Sequence, residues 1–280
     1  MRTQVFSERR LNTLQPKKWD SFCFLNGFDV LKLRFAELAD SVDYFVLVES
    51  THTLSGKPKP LYWKENPITG YKVIHVVTEP RWTGDISDEL AWNNMNGQIE
   101  DGLSEGLKNA DSSDFLFIGD FDEIPRASKL MSGDLTFPAV FVMDWYYYYV
   151  NFKQPVQWPG TCRDKMGDRT LFYPTYHGRY GIGNHNLIED GGWHFSNFGT
   201  IDIIKEKLAA YPDGSVLLSK LTTAQVEQDI REGNDVYGEL HTNRTHPAIP
   251  KLVELEKTLP KAIVEHPKEW RGMIRPDYDI

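Results

Sequence analysis

Three carboxylates follow one another closely in the segment FLFIGDFDEIP, Phe115–Pro125: Asp120, Asp122 and Glu123. They come directly after an apolar run and a glycine, so a hydrophobic strand ends on negative charge. Carboxylates packed this closely repel one another, and a nearby positive charge favours their ionised form. Asp120 and Asp122, at i and i+2 in a non-helical turn, can both face one hard divalent cation. Mg²⁺ and Mn²⁺ take such oxygen ligands and keep open positions for substrate phosphates. Glu123 can support that shell or cap a following helix near its N-terminal dipole. An acidic turn after a strand is common, so the D-x-D matters here for its surroundings: an apolar strand before it, a helical position after it, and βα units upstream.

Those units are readable in order. Ser21–Leu25 reads as a strand, Asn26-Gly27 as a turn, and Asp29 as the cap of a helix carrying Val30, Leu31, Leu33, Leu38 and Ala39 on one side. Tyr44–Val48 is a strand without polar alternation, hence one buried on both faces. Lys72–Val77 gives a third strand, and Ile86–Leu107 has helical spacing. Phe115–Ile118 is the fourth strand, and Pro125 stands where a helix tolerates proline at its first position. The alternation of strand and helix predicts an α/β sheet of mainly parallel order. In such sheets ligands bind beyond the carboxyl ends of the strands, which is where Asp120 and Asp122 fall.

After Pro138 the character changes. Ala139–Phe152 (AVFVMDWYYYYVNF) is aromatic and β-rich, Thr170–Tyr173 is a short strand-like run, and a Gly/His-rich segment runs from His177 to Asn186. GGWHFSNFG occupies Gly191–Gly199, Thr200 caps a helix over Ile201–Ala210, and Gln225–Glu232 is another helix. We expect an N-terminal arm over 1–20 and one domain over 21–240, with halves at about 21–137 and 138–240. A proline-rich tail wraps the rest from 241 to 280.

The 280 residues are 40% hydrophobic, with a formal net charge of -9. No basic stripe exists to release counterions from a phosphate backbone, so a nucleic-acid partner is not expected. The N-terminus has no apolar signal region, and no segment approaches the ~18 apolar residues of a membrane span, so a soluble, cytoplasmic protein without a transmembrane segment is expected. Two cysteines, Cys23 and Cys162, make no disulfide framework.

Four stretches together resemble a known family: FLNGFDVLKLRFAELADSVDYFVLVES (Phe24–Ser50), SGKPKPL (Ser55–Leu61), FIGDFDEIP (Phe117–Pro125) and GGWHFSNF (Gly191–Phe198). In this order they are similar to glycosyltransferase family 17, over roughly residues 22–200. The resemblance implies a GT-A-like (Rossmann-like) nucleotide-sugar-binding sheet with a β-rich acceptor half and a C-terminal helical tail. It also implies a nucleotide-sugar donor, with UDP-N-acetylglucosamine the best guess, and a glycan acceptor. Mn²⁺ or Mg²⁺ is expected on Asp120 and Asp122, with Asp120 also facing the donor. A histidine late in the fold completes the metal shell in many GT-A enzymes, and His194 takes that place. Glu49 and Ser50, at another strand's carboxyl end, are donor-binding candidates. So are Asn93 and Asn96, on the helix where the family pattern has an Arg-Asn pair and this chain has Asn96-Gly97.

On the acceptor side, aromatic faces stack on pyranose rings, which marks Trp145, Tyr147 and Trp193. Alternation within Tyr146–Tyr149 places two rings on each strand face, so half of them belong to a core. A transfer that inverts the anomeric centre needs a carboxylate base, for which Asp144, Glu189 and Asp190 compete. His177, Arg179 and His185 suggest a lid. Two rival functions are a haloacid-dehalogenase-like phosphotransferase, which also ends a strand in D-x-D, and a non-catalytic carbohydrate-binding protein using the aromatic strand as its platform.

Overall fold

A computed structural model describes residues 15–133, 137–168, 186–211, 218, 222–236, 251–252, 255 and 258–277. The apolar runs near the N-terminus become four parallel strands: β1 (Lys18–Cys23), β2 (Tyr44–Ser50), β3 (Val73–Thr78) and β4 (Phe115–Asp120). They lack polar alternation because both faces are covered. Phe22, Phe45, Leu47 and Phe117 pack with helix α1 (Phe28–Leu38), while Trp19, Val46, Val48 and Leu116 pack with helix α3 (Asp88–Gly106). Between them in sequence lies the one-turn helix α2 (Tyr62–Glu65). Helix α3 comes close enough to the sheet that a Cβ at Gly102 would stand 2.4 Å from a methyl of Val48.

The sheet does not stop at β4. Its order is β3-β2-β1-β4-β7-β6-β8-β5, with β9 (Lys251–Leu252) also pairing β7. The second half comprises β5 (Glu123–Pro125), β6 (Ala139–Tyr147), β7 (Phe152–Lys165) and β8 (Asn186–Ser196). Strand β7 joins antiparallel to β4, and β6 and β8 run parallel to each other. The architecture is therefore mixed α/β, with one continuous sheet shared by both halves.

Two local expectations are corrected. Pro125 does not open a helix: Glu123–Pro125 pairs antiparallel with β8, and only a single 3₁₀ turn, Ala127–Lys129, follows. Asp29 lies in the first turn of α1, whose N-cap is Gly27 at φ +94°. Thr200 does cap the helix after the GGWHFSNFG segment, here α4 (Ile201–Ala210), and Thr222 caps α5 (Thr223–Glu232) through a reciprocal box with Gln225. The tail contributes helix α6 (Lys261–Glu265), and its Leu259, Ile263, Met273 and Ile274 join the core beside α1.

The aromatic strand is mostly core. Trp145, Tyr147 and Tyr148 pack with Ile204 and Leu208 of α4 and Val226 of α5, while Tyr146 faces the main core. At Gly192 (φ +148°) a Cβ would stand 2.2 Å from the Ile124 carbonyl oxygen, so glycine there permits β8 to close on β5.

One buried charge pair ties these pieces together. Arg34 of α1 is fully buried and donates from Nε and Nη2 to the two oxygens of Asp20 on β1, at 2.7 and 2.5 Å. Its Nη1 donates to the carbonyls of Asp120, Phe121 and Glu123 at 2.9, 3.1 and 2.8 Å. Removing one member of such a pair leaves an uncompensated buried charge, typically worth about 3–5 kcal/mol. Arg34→Ala is expected to lose stability on that scale in urea titration; a loss below about 1 kcal/mol would mean the pair acts like an exposed ion pair and does not hold the turn.

Candidate active site

Strand order reverses between β1 and β4: the chain proceeds outward from β1 through β2 to β3, then returns to place β4 on the other side. Such a switch point opens a crevice at the carboxyl ends, because the connections leave in opposite directions. A cleft with about 690 Å³ of empty space, part of it open to solvent, lies there. Its walls come from Cys23–Leu25 after β1, His52–Leu54 after β2, Asp120–Asp122 after β4, Met95, Gln98 and Ile99 of α3, and Lys207, Ala210 and Tyr211 at the end of α4. Lys59 also reaches it.

The D-x-D turn is built by its neighbours. Arg34 fixes its carbonyls from below. Glu123, fully buried, accepts the Asp120 N–H (3.1 Å) and the Trp158 indole N–H (2.7 Å), and its own carbonyl accepts the Thr161 hydroxyl. Its carboxylate thus shapes the turn and makes no helix cap. Asp122 is 4% exposed; Oδ2 accepts from Lys207 Nζ at 2.8 Å, and Oδ1 lies 3.7 Å from His194 Nε2. Burial pushes the Asp122 carboxyl up, but Lys207 and then His194 outweigh it and hold the group below its ordinary value. Burial, with Asp120 beside it, pushes the Cys23 thiol up, so at the cleft wall it stays protonated.

His194 is 6% exposed, stacked on Trp145 with 9° between planes and tilted against Trp158, and shares a hydrogen bond of 3.0 Å between Nε2 and Ser196 Oγ. The structure thus brings Asp120, Asp122 and His194 into one neighbourhood. Among the described residues, no three His, Cys, Asp or Glu side chains are grouped tightly enough to hold a metal ion. The donor chemistry that fits a hard cation is the two carboxylates, Asp120 with Oδ1 of Asp122, since Oδ2 is engaged by Lys207.

The remaining candidates lie elsewhere. Glu49 is fully buried behind the cleft and accepts from the Trp63 N–H (3.1 Å), with His75 Nε2 at 3.0 Å and Lys59 Nζ at 3.8 Å. Ser50 accepts the His52 N–H. Asn93 and Asn96 are half-buried and do not line the cleft. The buried asparagine of that helix is Asn94, which accepts the Trp82 N–H and donates to the carbonyls of Leu54 and Trp82. Trp145 (4%), Tyr147 (6%) and Trp193 (1%) are core side chains without an open face for a sugar; Trp193 donates to the Thr258 carbonyl and lies under Arg126. Asp144 pairs with Lys153 at 2.8 Å. Glu189 and Asp190 occupy a bulge, since β8 pairs Ile188 with Phe141 and then Gly192 with Met143, and Arg126 and Lys129 hold Asp190. None of these three carboxylates lines the cleft. His177, Arg179, His185 and the run Thr170–Tyr173 fall outside the described residues.

Lys207, Lys59, Arg34 and Trp158 were not anticipated from sequence. Arg34 carried a signal: it lies within the apolar stripe of its helix, between Leu31 and Leu38, where an unpaired charge would not be tolerated.

The profile of glycosyltransferase family 17 matches residues 6–276. The chain belongs to glycosyltransferase family 17. Over 144 residues it is 35% identical to the beta-1,4-mannosyl-glycoprotein 4-beta-N-acetylglucosaminyltransferases of Homo sapiens, Rattus norvegicus and Mus musculus. The matched stretch is 46% of this chain and 26% of each relative, so the chain spans about a quarter of their length. Membership in family 17 leaves the phosphotransferase reading without support, and burial of the aromatic strand removes the platform the carbohydrate-binding reading needed. Among the described residues no helix is long and apolar enough to cross a membrane.

The lowered carboxyl of Asp122 has a pH consequence. A carboxylate whose folded pKa lies below its unfolded value stabilises the fold above that value and loses the contribution as pH falls through the folded one. In metal-free buffer, the stability gap between the wild-type chain and Asp122→Asn is expected to be full at pH 7 and to close below about pH 3.8, the ordinary value. Urea midpoints measured from pH 7 to pH 3 check this, and a gap independent of pH would show that Asp122 is not held ionised by its partners.

Proposed function

We propose that this chain is a metal-dependent, inverting glycosyltransferase that moves N-acetylglucosamine from UDP-N-acetylglucosamine to a glycan hydroxyl. The observation that carries the reading is the location of Asp120 and Asp122 at the β1/β4 switch point, lining a cleft walled by strand ends, helix α3 and the end of helix α4. Membership in family 17 and the N-acetylglucosaminyl transfer for which its relatives are named support the choice of sugar.

Glycosyl transfer with a nucleoside diphosphate leaving group places growing negative charge on the diphosphate as the anomeric carbon becomes oxocarbenium-like. A divalent ion, held by Asp120 and Asp122, would supply Lewis-acid stabilisation of that charge. The chain's residues do the rest. Arg34, Asp20 and Glu123 hold the aspartate-bearing turn in one conformation, so little reorganisation is needed as charge develops. Asn94 ties the loops around Leu54 and Trp82 to α3, keeping the wall of the cleft in place. The apolar wall of Leu25, Leu54, Met95, Ile99 and Phe121 limits water, whose attack would hydrolyse the donor. Inversion follows if the acceptor hydroxyl enters from the side opposite the diphosphate and gives its proton to a base on that side as the bond to the diphosphate breaks.

A panel of sugar nucleotides incubated with the purified chain and Mn²⁺ tests the reading. UDP-N-acetylglucosamine should be consumed, and Asp120→Ala and Asp122→Ala should lower the rate by about 10²-fold or more while the circular dichroism spectrum is retained. Absence of turnover with every donor, or activity on p-nitrophenyl phosphate through a phosphorylated Asp120, would refute it.

A further inference from the structure

The site already described leaves one side chain unexplained. Lys207 projects from the last turn of α4 into the cleft, with only 16% of its side chain exposed. It lies over the ring of Phe121, the residue between the two aspartates, with Nζ 5.9 Å from the ring centroid and 2.8 Å from Asp122 Oδ2. A lysine taken this far from water is costly unless it is paired and has a use there.

Resting on the glycosyltransferase reading above, we infer that Lys207 is a diphosphate-binding residue, which Asp122 positions against the donor's leaving group. The charge balance gives the reason. A divalent ion coordinated by two carboxylates is neutralised by its own ligands, so beyond the phosphate oxygens that ion would take, net positive charge facing a diphosphate comes from cations in the cleft lining. Lys59 and Lys207 are the lysines of that lining among the described residues. Lys59 sits 3.8 Å from the buried carboxylate of Glu49, behind the cleft. Lys207 instead stands at the aspartate-bearing turn itself. When the bond between sugar and diphosphate breaks, its electron pair goes to the diphosphate oxygen, and an ammonium group beside that oxygen stabilises the charge.

Helix α4 is fixed for this task. Ser55 donates its backbone N–H to the Ala210 carbonyl at 3.2 Å. Glu206, the residue before Lys207, accepts from the Asn26 side chain at 2.6 Å and from the Tyr62 hydroxyl. The neighbouring carboxylate is therefore engaged with α4's anchors to the loop after β1 and to α2, while Lys207 turns to Asp122.

The rival account is that Lys207 only neutralises Asp122. Calorimetric titration with UDP and with uridine, in saturating Mn²⁺, separates the two. Lys207→Gln should weaken UDP binding by about tenfold or more, the size of one charge-assisted hydrogen bond, and leave uridine affinity unchanged. Lys207→Arg should recover most of the loss. Because Lys207→Gln strands a buried carboxylate, the comparison is repeated in an Asp122→Asn background. There Asp122→Asn/Lys207→Met should still bind UDP about tenfold more weakly than Asp122→Asn alone. Equal UDP affinities in that comparison would overturn the inference and leave the glycosyltransferase reading standing. A wild-type chain that binds no nucleoside diphosphate would overturn both.

Discussion

The buried guanidinium of Arg34 is the constraint on which the site depends. From helix α1 it reaches five acceptor oxygens in two separate parts of the chain: the Asp20 carboxylate on β1 and the carbonyls of Asp120, Phe121 and Glu123 in the turn. Desolvating the pair is expensive, and it is offset because all three guanidinium nitrogens donate to oxygens. A lysine could not do this, since an ammonium is a compact charge without the planar fork. The consequence reaches beyond stability. Carbonyls pinned from beneath fix the backbone of the turn, and a fixed backbone sets the aspartates at the cleft.

The same turn is gripped from the other half of the sheet. Glu123 carries the Trp158 indole of β7 on one oxygen and the Asp120 N–H on the other, while Thr161 of β7 bonds the Glu123 carbonyl. Gly119 makes room for this, because a Cβ there would stand 2.3 Å from the Thr161 hydroxyl oxygen. The most conspicuous acidic cluster in the sequence therefore holds two kinds of carboxylate: Asp120 and Asp122 serve the cleft, whereas Glu123 serves the frame around it.

How far the sequence could be read follows from which interactions are local. Continuous apolar runs such as Tyr44–Val48 and Phe115–Ile118 identified the strands, because burial on both faces removes polar alternation. Thr200 and its helix were legible because a cap and an apolar stripe lie within one turn of each other. Pro125 misled because its partner, Gly192, lies far along the chain, and strand pairing there overrides a local preference for a helix start. Trp145 and Tyr147 looked like a sugar-binding face, yet α4 and α5 cover them, and nothing within the aromatic run announces a covering element. Lys207 was invisible for a related reason: its meaning lies in Asp122, 85 residues earlier.

These contacts divide the chemical problem unevenly. Two halves of one sheet and helix α4 converge on the turn that carries Asp120 and Asp122, so its geometry is over-determined by packing, buried hydrogen bonds and charge. The carboxylates considered as bases, Asp144, Glu189 and Asp190, each answer instead to a neighbouring cation or a bulge away from the cleft. The grip on the turn draws on both halves of the sheet, because Arg34 reaches it from α1 while Trp158 and Thr161 of β7 and Lys207 of α4 reach it from the second half. Rigidity of the turn, rather than any single residue type, is what makes the D-x-D segment informative: its carboxylates tolerate their mutual repulsion because Arg34 fixes their backbone and Lys207 balances their charge.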